Sequence, residues 1–184
     1  IYNAPMEDFY ENRSSSLSIG DRPRVITHHW STNPKKGFDL YQQFDAYCHE
    51  TQEYEFHYIG QIPSGTRLTN YHPPIGVAQL SHNLPEYDIY LTASEEEAGA
   101  NHVLEAMACG LPVVYRGSGG SIVDYCEEYG LEYTTFDELI SSIKKMVDEY
   151  QTHKEKVLEY KSTNVEVVSK YCDIIEKYGH RDAV

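Results

Sequence analysis

The chain has no apolar run near the ~18 residues that would cross a bilayer, and its mean hydropathy is negative, so no transmembrane segment is expected. No charged start followed by an apolar stretch comes after Ile1, which disfavours a secretory leader and suits a piece of a longer protein. The four cysteines, Cys48, Cys109, Cys126 and Cys172, form no Cys-x-x-Cys pair. That argues against a zinc site and a disulfide-stapled scaffold, and a reducing cytoplasmic compartment fits best. Positive charge is scarce: 15 Lys and Arg stand against 29 Asp and Glu, for a formal net charge of −14. Non-specific attraction to nucleic acid or to an anionic membrane needs the opposite balance, so any phosphate site must be built locally. No Gly-x-Gly-x-x-Gly follows the first strand and no Gly-x4-Gly-Lys-Ser/Thr occurs, which argues against a dinucleotide dehydrogenase and a P-loop.

What is present fits one domain, because 184 residues are enough for a single core and too few for a second. Short β-branched or aromatic runs alternate with longer helix-like stretches, the pattern of a parallel sheet covered by helices. Strands are expected over 25–31, 54–60, 88–94, 112–117 and 131–135, with a short one near 69–71. Helices are expected over 38–49, 77–84, 100–109 and 121–129, the third stopped by Gly110-Leu111-Pro112. Beyond Phe136 the pattern turns helical. Asp137 is read as the cap of a helix whose apolar residues Leu139, Ile140, Ile143, Met146, Val147 and Tyr150 recur at helical spacing and face the sheet. Charged segments over 154–160 and 165–178 are expected to lie across the surface. The expected fold class is therefore α/β: a Rossmann-like open parallel sheet with helices on both faces, plus C-terminal helices. Within one domain, residues 1–22 are read as hinge and loop, 23–135 as the core and 136–184 as the C-terminal helices. Seventeen tyrosines are ordinary material for a core or a surface and carry no functional reading of their own.

One segment carries chemistry. A strand runs into Ser94-Glu95-Glu96-Glu97-Ala98-Gly99, and a helix follows with Asn101, His102 and Glu105. Ligands of open α/β sheets sit beyond the carboxyl ends of the strands, and free N–H groups at a helix start favour phosphate. Glu97 and Glu105 are separated by seven residues, so they can meet different parts of one ligand. An ionised carboxylate only accepts hydrogen bonds, which suits the vicinal hydroxyls of a sugar. On spacing alone a solvated charge run explains them as well. His28, His29 and His102 stand near the same mouth and could donate to phosphate or acceptor oxygens. Gly119 and Gly120 open the next loop, where a ligand or a tight turn would equally need glycine.

The acidic segment resembles the Glu-x7-Glu motif of family-4 glycosyltransferases, in which a Ser-x-x-Glu loop leads into a run like Leu104-Glu105-Ala106-Met107-Ala108-Cys109-Gly110-Leu111-Pro112-Val113-Val114. The stretch from Val25 to Ser31, with Asn33-Pro34-Lys35-Lys36-Gly37-Phe38-Asp39, resembles that family's first strand, phosphate loop and Lys-Gly helix start. The resemblance covers roughly Ile1 to Tyr133 and implies the C-terminal, donor-binding domain of a GT-B-type retaining enzyme, with Tyr2-Asn3-Ala4-Pro5 at the hinge.

By this resemblance Lys36 would stabilise the departing diphosphate, Glu97 would meet the transferred sugar and Glu105 the ribose hydroxyls. Gly99, Ala100, Asn101, His102, Lys35 and Ser31 would complete the donor site. Where the family often has an arginine before the lysine, this chain has Trp30, and Lys35 is expected to share the charge. No Asp-x-Asp pair occurs, so no metal and no cofactor are expected beyond a nucleoside-diphosphate sugar as substrate. The expected partners are that donor and an N-terminal acceptor-binding domain, with no nucleic acid. Two other readings stay open: a non-catalytic α/β binding or regulatory module, and another GT-B-type sugar-nucleotide enzyme.

Overall fold

The computed structural model describes residues 3–179. Ile1 and Tyr2, part of the hinge reading, lie outside the described residues, as do residues 180–184. The elements in chain order are α1 (Asp8–Glu11), β1 (Arg24–His29), a 3-10 turn (Pro34–Lys36), α2 (Phe38–Thr51), β2 (Glu55–Gly60), β3 (Asn70–His72) and α3 (Val77–Asn83). A second 3-10 turn (Leu84–Glu86), β4 (Ile89–Thr92), α4 (Asn101–Ala108), β5 (Val113–Arg116), α5 (Ser121–Cys126), β6 (Gly130–Tyr133), α6 (Phe136–Asp148), α7 (Tyr150–Val157) and α8 (Asn164–Tyr178) follow.

The six strands form one sheet in the order β3-β2-β1-β4-β5-β6, and every pair is parallel. This is the open Rossmann-like α/β fold expected from the sequence. Side chains alternate across the pleat. Ile26, Tyr90, Val113 and Tyr115 join α1, α3, α4, α5 and α7 in one apolar cluster. Val25, Phe56, Tyr58, Ile89, Leu91, Val114 and Tyr133 join α2 and α6 in the other. Each cluster is a two-residue period meeting a 3.6-residue one, with a helix layer on each face.

Several local expectations are corrected. The first 22 residues are not all loop: α1 drives the fully buried Phe9 into the core. Arg13 reaches the carbonyl oxygens of Leu158, Val157, Tyr160 and Met107 at 2.8–3.2 Å, which satisfies acceptors left over at the ends of α4 and α7. The cap of α6 is Thr135, not Asp137, because Thr135 and Glu138 form a reciprocal capping box. Tyr150 belongs to α7, and α7 is not a surface helix throughout. Its Lys154 is buried, donates to Gly110 O at 2.5 Å, and has its ammonium pushed down to about 8 by that burial. Helix α8 does lie at the surface, with no buried residue.

Candidate functional site

Strands β1 and β4 are neighbours, yet the helices that follow them, α2 and α4, lie on opposite faces. That makes the β1/β4 seam the switch point where ligands of such sheets bind. The two strands pair only through Val25 with Ile89 and Ile26 with Tyr90. Past that register the carboxyl ends separate, and a cleft of about 230 Å³ opens, lined by His28, His29, Trp30, Ser31, Lys36, Glu97, Gly99, Asn101, His102 and Glu105.

The tertiary structure thus draws Ser31, Lys36, Glu97, Gly99, Asn101, His102 and Glu105 to one place, although they come from two separate stretches of sequence, 31–36 and 97–105. It does not bring Lys35 or the Ala100 side chain there. Lys35 lines a separate cleft with Pro34, Gly37, Asp39, Glu95 and Arg116, because successive residues of the 3-10 turn point apart. Ala100 is fully buried in the apolar core, so only its backbone can serve a ligand. Helix α4 begins without a side-chain cap at Ala100, and its first N–H, on Asn101, bonds Gly99 O at 3.0 Å. Gly99 is where the N-terminal segment closes in: an added Cβ would come within 2.7 Å of Asn3 Nδ2, which itself donates to Asn101 Oδ1 at 3.2 Å.

Each glutamate of the acidic loop takes a different cation: Glu95 pairs with Arg116 at 2.5 Å, Glu96 with Lys35, and Glu97 with Lys36. The last pair is the significant one, because both side chains are more than four-fifths buried at the cleft wall. Lys36 is the one lysine or arginine among the residues lining the cleft, and Glu97 holds it. Backbone bonds fix the loop further. Glu96 and Glu97 donate to Ser118 O and Gly119 O at 2.9 and 3.1 Å, and Ser121 donates to Glu97 O at 2.9 Å. Gly120, at φ 67°, approaches so closely that a Cβ would lie 2.6 Å from Glu97 O. The Gly119-Gly120 pair therefore serves a tight backbone approach that holds the catalytic-loop candidate in place.

Each of the three histidines is engaged through a ring nitrogen by a neighbouring side chain. His28 is fully buried, with Nε2 2.8 Å from Glu105 Oε2 and Nδ1 3.1 Å from the Tyr90 hydroxyl. His29 Nε2 meets the Tyr41 hydroxyl at 2.8 Å, and His102 Nε2 meets Thr92 Oγ1 at 3.0 Å. Burial lowers the pKa of His29 well below the ordinary value, with further lowering from His102, Lys36 and His28; burial, then His28 and Lys36, does the same to His102. Both rings are neutral when folded, so below about pH 6.5 the unfolded chain binds protons that the folded chain does not, and stability falls with acidification. Urea unfolding at pH 5.5 and 6.5 is expected to differ by about 1 kcal/mol for each of these histidines, and replacing His29 and His102 together should flatten that slope.

Trp30 was legible only as a departure from a motif. The structure leaves it 41% exposed on the cleft wall, its ring 5.8 Å from that of His28. A large aromatic beside a polar cleft offers a flat face to a planar ligand, and the signal was its place just past the end of β1. Among the described residues, no group of three or more His, Cys, Asp or Glu is placed to hold a metal ion, and no helix is long and apolar enough to cross a membrane.

No protein-family model and no curated protein matches the chain. Solved structures do. WaaG, described as a glycosyltransferase involved in lipopolysaccharide biosynthesis, is similar at TM-score 0.65 and 18% identity, over 87% of this chain and 51% of its own. The pneumococcal O-GlcNAc transferase GtfA, in complex with UDP and GlcNAc, gives TM-score 0.66 and 17% identity over 92% of this chain and 38% of its own. The catalytic domain of starch synthase IV from Arabidopsis thaliana, bound to ADP and acarbose, gives TM-score 0.66 and 16% identity over 93% and 42%. The chain has the fold of a glycosyltransferase domain. It spans between 38% and 51% of the length of these structures.

Proposed function

We propose that this chain is the donor-binding half of a retaining glycosyltransferase of the GT-B, family-4 type, which moves a sugar from a nucleoside-diphosphate sugar to an acceptor hydroxyl. The observation that carries the reading is the meeting of Lys36, Glu97, Gly99 and Glu105 on one cleft at the β1/β4 switch point. Two structural relatives hold nucleoside diphosphates, UDP in GtfA and ADP in starch synthase IV, which supports the same ligand class here. The open cleft of about 230 Å³ is smaller than the roughly 300–1,000 Å³ that encloses a small ligand. An acceptor-binding N-terminal domain would supply the opposite wall, and this half alone would bind donor without completing transfer.

In this reading the diphosphate lies against the start of α4 and Lys36, whose ammonium neutralises charge as the phosphate departs. The acceptor hydroxyl attacks from the face the leaving group vacates, through an oxocarbenium-like transition state, and needs no positioned base from this half. Glu97 accepts a hydrogen bond from a hydroxyl of the transferred sugar, and Glu105 from the ribose. The lysine and the helix terminus supply positive potential without a metal, and the setting is cytoplasmic. The rival reading of the acidic loop as a cation site is weakened by the partners its carboxylates already have in Arg116, Lys35 and Lys36.

A thermal-shift and calorimetric panel of UDP, GDP and ADP tests the proposal. Saturation at a hundredfold above Kd adds ~2.7 kcal/mol of stability, so at least one nucleotide should raise the melting temperature clearly; no shift with any of them sinks the reading. Glu105→Ala should weaken that nucleotide about tenfold, the lower end of what a hydrogen bond to a charged group contributes. Unchanged affinity would mean that the ribose contact lies elsewhere.

A further inference from the structure

His28 lies in the wall of the cleft but is fully buried, and its ring links the core to the one carboxylate on α4. That helix buries Val103, Leu104, Ala106, Met107 and Ala108, so Glu105 sits among apolar neighbours with its side chain 16% exposed. Among the described residues, its carboxylate receives one hydrogen bond, at Oε2 from His28 Nε2 at 2.8 Å. Oε1 keeps its lone pairs for a ligand. A carboxylate only accepts, so the proton of this bond is on Nε2. The Tyr90 hydroxyl accepts from the His28 backbone N–H at 3.2 Å and lies nearer to Nδ1, at 3.1 Å, than to the His28 carbonyl oxygen, at 3.4 Å. Donation from the hydroxyl to Nδ1 leaves Nε2 as the protonated nitrogen.

We propose that His28 is a positioning residue that aims Glu105 into the cleft, and that Tyr90 fixes the ring tautomer that lets it do so. The inference rests on the donor reading for what Glu105 grips. It assigns His28 no contact with the ligand. Its effect passes through one carboxylate and should be confined to the ligand atoms that carboxylate meets. The chain Tyr90–His28–Glu105 joins β4, β1 and α4, the three elements that border the switch point, so the aim of Glu105 is set by the sheet itself and not by the mobility of a surface side chain.

The test is a ligand-resolved comparison on the whole chain. UDP, GDP and ADP and their 2′,3′-dideoxy forms are titrated calorimetrically against the wild type, His28→Ala, His28→Gln and Tyr90→Phe, with far-UV melts to establish that each variant is folded. His28→Ala is expected to lose about tenfold in affinity for the ribose-bearing nucleotide and almost nothing for its dideoxy form. His28→Gln, whose amide nitrogen reaches about as far as the imidazole Nε2, should recover most of the loss. Equal losses for both nucleotide forms, or none for either, would overturn the positioning role while leaving the donor reading intact. A wild type that binds none of the three nucleotides overturns the donor reading and, with it, the inference. Ring-nitrogen NMR supplies a readout independent of any ligand: a proton on Nε2 that responds to Glu105→Gln is expected, and a proton on Nδ1 alone overturns the proposal whichever nucleotides bind.

Discussion

Alanine at Gly37 is expected to cost the protein about 3 kcal/mol, from left-handed strain together with overpacking, and to abolish nucleotide binding in whatever fraction still folds. Gly37 stands at φ 77°, ψ 38°, where it ends the 3-10 turn and begins α2. A Cβ there would lie 2.5 Å from Ala93 O and 2.6 Å from Ala93 Cβ, so both the backbone conformation and the space exclude it. Ala93 follows β4 directly, and the preceding residue is Lys36. Any shift that relieves the clash therefore moves the ammonium away from the cleft or pulls on the seam that forms it. Gly65→Ala is the control: its φ is 90°, but nothing lies within 4 Å of the added Cβ, so only the conformational part, about 1 kcal/mol, should appear. Chemical denaturation of the two variants separates the terms, and equal losses would show that packing against Ala93 contributes nothing.

Lys36→Ala is expected to weaken nucleoside-diphosphate binding about a hundredfold, and Glu97→Gln to strengthen it about tenfold, on the scale of one partly buried charge-assisted hydrogen bond. The opposite signs follow from the ion pair. The ammonium that would meet phosphate is already held by Glu97 in a wall that is largely closed to water, so the ligand must displace that carboxylate. Neutralising Glu97 frees the lysine for a nucleoside diphosphate, which carries no transferred sugar to miss the carboxylate. The same variant should lose discrimination for the complete nucleotide sugar, because the group assigned to the sugar hydroxyl is now an amide. Calorimetry with the nucleotide alone and with its sugar conjugate measures both effects. A Glu97→Gln variant that binds the bare nucleotide more weakly would refute the idea that the pair competes with phosphate.

Much of the local structure was readable because it depends on near neighbours in the chain. The Thr135-x-x-Glu138 capping box was present to be read, and the choice of Asp137 passed over the residue whose oxygen can reach the N3 amide. Helix α1 was hidden by its brevity: four residues carry too little period, and its reason for existing, the buried Phe9, is a contact with distant helices. Lys154 was misread for the same cause. A lysine in a charged stretch looks solvated until a helix terminus 44 residues away offers its carbonyl.

The sequence by itself determined the alternation of strands and helices, the acidic loop between β4 and α4, and the carboxylates, lysine and glycines proposed to hold the donor. These follow from periods of two and 3.6 residues and from side-chain chemistry, which are properties of the chain at short range. Only the tertiary structure decided which residues face one another. Strand order is not encoded in any local period, and it is the placing of β1 beside β4, with α2 and α4 on opposite faces, that opens the cleft. That placement gives Lys36 to Glu97 across 61 positions and His28 to Glu105 across 77, and sends Lys35 to a different partner although it is the next residue in the chain.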